Sequence, residues 1–173
     1  HILVAIDTTQ STNTDRVRIY VDGDQLTSWS TSNYPTQNYD GNWSSAVQHT
    51  VGSSSSPNRQ FDGYLAEVNY VDGTAYAPST FGVTDTTTGR WIPKNLTGIS
   101  YGTNGFRLNF ADSSDLGNDV SGRNNDFTVI TSTFIATDQV IDSPTQNFAV
   151  LDPNYINGQT QKFSEGNLDY ASS

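Results

Sequence analysis

The stretch Phe61 to Gly73, FDGYLAEVNYVDG, limits the possible folds more than any other part of the chain. Tyr64, Ala66, Val68 and Tyr70 fall on one side of a two-residue period, and Leu65, Glu67, Asn69 and Val71 fall on the other. Asp62-Gly63 and Asp72-Gly73 close the two ends as turn dipeptides. Arg16 to Asp24, RVRIYVDGD, has the same construction, with Val17, Ile19 and Val21 on one face and Arg16, Arg18 and Tyr20 on the other. Alternation closed by Asp-Gly predicts antiparallel strands and hairpins.

Composition agrees. Only 34% of the 173 residues are hydrophobic, yet 12% are aromatic, so a core must rest on a few rings and β-branched side chains. Ser, Thr, Asn and Gly are abundant, whereas Lys and Glu, which favour helices, are scarce. An all-β chain with little helix is expected. A net charge of −10 repels polyanions, so nucleic-acid binding is not expected. The absence of Cys excludes disulfides, thiolate metal sites and Cys nucleophiles, and leans towards a microbial or viral source. No apolar run is long enough for a transmembrane helix, so membrane insertion is not expected. There is no Met, and the chain opens directly in the strand-like run Ile2 to Ile6, which reads as a piece of a larger polypeptide.

Along the chain, Ile2 to Ile6 reads as a buried central strand. Arg16 to Val21 and Gln25 to Ser30 read as a hairpin turned at Asp22-Gly23, and Ala46 to Gly52 as another strand. Pro78 to Phe81 suits one helical turn, and Val83 to Gly89 reads as irregular. Trp91-Ile92-Pro93 reads as a packing anchor at an edge. Gly105 to Phe110 alternates, with Phe106, Leu108 and Phe110 facing one way. Asp112 to Asp126 is a dense turn segment leading to a strand at Phe127 to Thr131. These elements divide into 1–82, 83–144 and an extended connector, 145–173.

The pattern aromatic-x-Gly-x-Leu-x-Glu-Val-x-Tyr at Phe61 to Tyr70, after Arg18-Ile19-Tyr20-Val21-Asp22-Gly23, resembles the laminin-G-like domains of the concanavalin A-like lectin/glucanase superfamily. His1 to Asp7 is similar to a His-Ile-x-Val-x-Ile-Asp strand of that family, and Ala75 to Phe81 to the short hydrophobic piece after its last strand. The resemblance implies an antiparallel β-sandwich, a concanavalin A-like jelly roll, of which 1–82 is the C-terminal part. Trp91-Ile92-Pro93-Lys94, Tyr101 to Phe106, and Asp119-x-Ser121-Gly122-x-Asn124-Asn125 resemble marine-bacteriophage proteins of the tail-fibre or virion-surface type. Residues 105–131 either complete the sheet of the first sandwich or begin a second.

Candidate chemistry is sparse. Glycoside hydrolysis needs two carboxyl groups about 5 Å apart, but Glu67 stands alone on its strand and Glu165 is far along the chain. His1 and His49 have no Gly-x-Ser-x-Gly elbow to serve. No enzyme activity is expected. Calcium suits the oxygen-rich loop Asp115, Asn118, Asp119, Asn124 and Asp126, although Asp and Asn there equally serve tight turns. Tyr34, Tyr39, Asp40, Asn42 and Trp43 form an aromatic loop suited to a glycan or a protein partner. The expectation is a non-enzymatic structural segment of a bacteriophage virion protein, on the virion surface or extracellular. It would assemble with copies of itself or other virion chains and attach to a host surface glycan. The alternatives are a carbohydrate-binding module or an accessory module of a secreted bacterial glycosidase.

Overall fold

The aliphatic run at the start of the chain pairs with the alternating segment that follows it. Strand β1 (Ile2–Ile6) lies antiparallel to β2 (Val17–Val21), with Ile2 opposite Val21, Val4 opposite Ile19 and Ile6 opposite Val17. The face-by-face alternation predicted for β2 is therefore matched across the ladder. Asp22 (φ +50°) and Gly23 (φ +92°) turn the chain into β3 (Asp24–Gln25), both at the positive φ that a two-residue type I′ hairpin turn needs. The computed structural model describes residues 1–45, 47–53, 61–129, 136–140, 161–164 and 169–172.

Three expectations for this region change. The sheet order is β1-β2-β3, so the apolar β1 is an edge strand and β2 is central. An all-aliphatic strand can supply both faces of a sheet, but here only Ala5 is buried, while Ile2 is 74% exposed. The predicted strand Gln25 to Ser30 stops at Gln25, one further bond running from the Leu26 N–H to the Ile19 carbonyl. Beyond it, residues 27–33 are all exposed, and Trp29 is the large side chain among them. Residues 47–52 are bends and irregular chain rather than the predicted strand, whose first residue, 46, lies outside the described residues.

The opening segment contributes only β4 (Val68–Tyr70) as a strand. Glu67 sits in the left-handed region (φ +51°), which breaks the two-residue period that the sequence suggests for residues 61–71. Phe61 and Tyr64 are consequently exposed and not core. After β4, Pro78–Thr80 forms the expected helical turn, of 3-10 type. The segment read as irregular holds β5 (Gly82–Thr84), which pairs antiparallel with β6 (Trp91–Pro93). Between them Asp85 caps the turn, accepting the Thr87 N–H (3.0 Å) and the Thr88 hydroxyl (2.6 Å). These bonds, the Thr88 hydroxyl first, hold its carboxyl below the usual range.

Trp91 does act as an anchor. Its ring stacks on that of His1 (centroids 4.0 Å, 11°) and covers Gly82, where a Cβ would fall 1.9 Å from the indole. The β5–β6 hairpin is thereby joined to the first sheet.

Strand β7 (Phe106–Leu108) pairs antiparallel with β4, with Tyr70 opposite Phe106 and Val68 opposite Leu108. Residues 106–108 thus extend the ladder of the opening segment. Strand β5 spans positions 82 and 83. By its internal contacts the chain separates into units 1–141 and 142–173. Phe110 (φ +53°) ends the alternation of β7, and residues 127–129 are not a strand; residues 130 and 131 of that predicted strand lie outside the described residues.

The core gathers around β7. Tyr101, Phe106, Leu108 and Leu116 are buried, and the Phe106 ring meets Phe127 edge-on at 4.6 Å and Tyr70 at 5.7 Å. In the second unit, β8 (Gln161–Ser164) and β9 (Asp169–Ser172) form an antiparallel hairpin. Among the described residues every helical segment is a three-residue 3-10 turn, so the fold is all-β in class.

Candidate functional site

The acidic loop is built around one buried carboxylate. Asp119 is 6% exposed and faces Leu108 through an isolated bridge. Its Oδ1 accepts the N–H of Arg107 and of Ser121, both at 2.8 Å. Its Oδ2 accepts the Asn125 N–H (2.9 Å) and the Ser121 hydroxyl (2.8 Å). Burial alone would raise its pKa, but hydrogen bonds from the Arg107, Ser121 and Asn125 amides outweigh it, and the carboxyl is held below the ordinary value. Asn125 extends the knot, donating from Nδ2 to the carbonyls of Thr103 (3.1 Å) and Gly105 (2.8 Å).

The other residues of the calcium expectation also cap turns. Asp126 Oδ1 accepts the Asp119 N–H (2.9 Å), and Asp115 Oδ1 accepts the Gly117 N–H (3.2 Å). Asn118 closes a turn through its own N–H to the Asp115 carbonyl, and Asn124 occupies a left-handed position (φ +58°). Asp115 and Asp126 do share the wall of an open hollow of about 470 Å³. Asp119 is directed away into the protein, with both oxygens occupied by N–H and O–H donors. Among the described residues no three His, Asp or Glu side chains gather in a way that would hold a metal ion. These are the contacts of turn capping, the alternative visible in the sequence.

The aromatic loop is fastened at its base and open at its tip. Arg16 donates from Nε to the Gln10 carbonyl (2.8 Å), from Nη2 to Ser11 (2.9 Å) and from Nη1 to Pro35 (2.9 Å). One guanidinium, with its fixed fork of donors, thus ties the β1–β2 connection to the loop. Gln37 Nε2 donates to the Thr9 carbonyl, the Asn38 N–H to Thr8, and the Thr8 hydroxyl to the Tyr39 carbonyl (2.9 Å). Tyr34 is half-buried at this base. Tyr39 and Trp43 meet edge-on at 6.2 Å and remain 50% and 42% exposed. The Trp43 ring folds over Gly41, where a Cβ would lie 2.4 Å from it. Asp40 and Asn42 are exposed beside the ring pair. The structure therefore presents Tyr39, Asp40, Asn42 and Trp43 together and withdraws Tyr34. Arg16, which holds the loop in place, is visible in the sequence only as one strand residue among others.

Glu67 is tied across the second ladder. Arg107 donates from Nε to Glu67 Oε2 and from Nη2 to Oε1, both at 2.9 Å, a bidentate pair. Hydrogen bonding to Glu67 raises the Arg107 pKa further. Tyr101, beside them, donates its hydroxyl to Asn69 Oδ1 (2.8 Å), and burial raises its pKa. His49 Nε2 faces the Ser45 carbonyl at 3.2 Å and not a carboxylate. Glu165 lies outside the described residues. No described helix is long and apolar enough to cross a membrane. The chain matches no family model, no curated protein and no solved structure.

Proposed function

We propose that this chain is a non-enzymatic structural segment of a bacteriophage virion protein, a tail fibre or surface appendage, that assembles with other protein chains. In this reading the first sheet belongs to a laminin-G-like, concanavalin A-like sandwich, and the molecule works at the virion surface. The observation that supports it is apolar surface on ordered elements. Ile2, Val4, Leu26 and Val21 are all exposed, and all lie on one face of the first sheet. Contiguous apolar surface of this kind marks interaction sites. The phage attribution rests on the resemblance of the block Trp91 to Thr145 to virion proteins. It is tested by mass spectrometry and immunogold labelling of purified particles. Presence in the particle is expected; presence only in the secreted fraction of a polysaccharide-degrading bacterium would overturn it.

A second reading is favoured by the aromatic loop. Tyr39 and Trp43, with Asp40 and Asn42 beside them, offer a ring surface flanked by hydrogen-bonding groups, as a host surface glycan requires. It can coexist with assembly, because the loop and the aliphatic face are different surfaces. A glycan array should show binding that Tyr39→Ala and Trp43→Ala both abolish. Binding unaffected by either change would place the glycan elsewhere.

A further inference from the structure

We infer that the outer edge of β1 pairs with the same edge of a second copy, forming a two-fold antiparallel ladder centred on Val4. This rests on the assembly reading and names its partner.

The backbone of β1 is half used. The Asp7 N–H bonds the Arg16 carbonyl and the Asp22 N–H bonds the His1 carbonyl, so the odd-numbered residues of β1 face β2. Antiparallel alternation then turns the N–H and C=O groups of Ile2, Val4 and Ile6 outward. Strand β1 is the edge of its sheet, and no other described strand pairs there. Natural edges are usually guarded by Lys, Pro or a bulge. The run Ile-Leu-Val-Ala-Ile has none of these. Exposure also rises towards this edge. Ile19 on β2 is half-buried and Val21 is 38% exposed, whereas their neighbours towards the edge, Val4 and Ile2, are 52% and 74% exposed.

The edge is complementary to itself. With Val4 opposite Val4 of the second copy, Ile2 meets Ile6 and Ile6 meets Ile2. Each of these pairs exchanges two bonds, giving about six, within the range of roughly 10 ± 5 found in specific interfaces. The same register sets His1 opposite Asp7 of the other copy at both ends, an imidazole against a carboxylate, with no like-charged pair between. It also joins two aliphatic faces. Each contributes Ile2, Val4, Ile6, Ile19, Val21 and Leu26, so the most exposed side chains gain apolar neighbours. A chain of net charge −10 needs such a charge-poor strip if copies are to meet.

The test is sedimentation of the 173-residue chain together with cysteine cross-linking, which the Cys-free sequence makes clean. The wild-type chain should be a dimer at micromolar concentration. Val4→Pro removes outward N–H groups and leaves the ladder to β2 intact; it should weaken the dimer about tenfold or more. Oxidised Val4→Cys should cross-link with itself. Ile2→Cys alone should not, but should cross-link when mixed with Ile6→Cys. A monomeric wild-type chain, or self-cross-linking of Ile2→Cys as strong as that of Val4→Cys, overturns the proposal. So does a dimer unaffected by Val4→Pro, which would leave assembly through another surface standing. Absence of the chain from particles would overturn the virion reading without touching this ladder.

Discussion

Two ladders of the first unit solve the same problem in opposite ways. Around β4 and β7 the chain closes on itself: Leu108 is 2% exposed, Phe106 is flanked by two rings, and the loop after β7 folds over a carboxylate with four donors. Around β1 and β2 the ladder is longer, five residue pairs against three, yet its aliphatic face is open. Strand length therefore does not decide where this chain is stable. Burial and satisfied polar groups do, and a small ladder with both outweighs a long one with an uncovered face.

The sharpest way to break this comparison is at Asp119. Asp119→Ala leaves three partly buried amides without their acceptor and should destabilise the first unit by about 3–5 kcal/mol in urea unfolding. Asp119→Asn keeps the shape but turns an NH2 towards donors, and should cost somewhat less, about 2–3 kcal/mol. Next comes Leu108→Ala, at about 2–5 kcal/mol. Val4→Ala in the dilute monomer should cost under about 1 kcal/mol, because little burial is lost. Equal effects at Leu108 and Val4 would refute the contrast.

Acid should reveal the same hub. The folded pKa of Asp119 is depressed, so its contribution is fully present above the unfolded value of 3.8 and is lost as pH falls through the folded value. Urea midpoints should be flat near neutrality and drop below about pH 4, and Asp119→Asn should flatten that acid limb. Asp7, Asp85 and Asp112 shift in the same direction but are solvent-accessible caps, so their replacement should alter the limb less.

What is legible in the sequence is local. The Asp22-Gly23 hairpin can be read because period-two alternation and the turn dipeptide adjoin each other. The β4–β7 ladder cannot, because its partners are far apart in sequence and neither announces the other. Phe61 to Gly73 looks like one long strand, since nothing in its pattern shows that Glu67 takes a positive φ to reach Arg107. The acidic loop displays its residues in the sequence but not their orientation. Asp among Gly and Asn looks alike whether its oxygens face an ion or backbone amides, and only the fold shows Asp119 turned inward.

Smaller effects sharpen the picture further. The Glu67–Arg107 pair is partly exposed, with the Glu67 side chain 40% accessible, so a double-mutant cycle should give about 1 kcal/mol or less. A Tyr39→Ala, Trp43→Ala double variant should change stability by no more than about 0.5 kcal/mol, since both rings are largely outside the core. A large loss there would mean the loop supports the fold and does not merely ride on it.

The most direct test of an open edge on the first sheet is amide hydrogen exchange along β1 as a function of protein concentration. Leu3 and Ala5, whose amides face β2, should be protected even in dilute solution. Ile2, Val4 and Ile6 should exchange rapidly there and become protected as concentration rises. Protection of Val4 that does not depend on concentration would contradict the account.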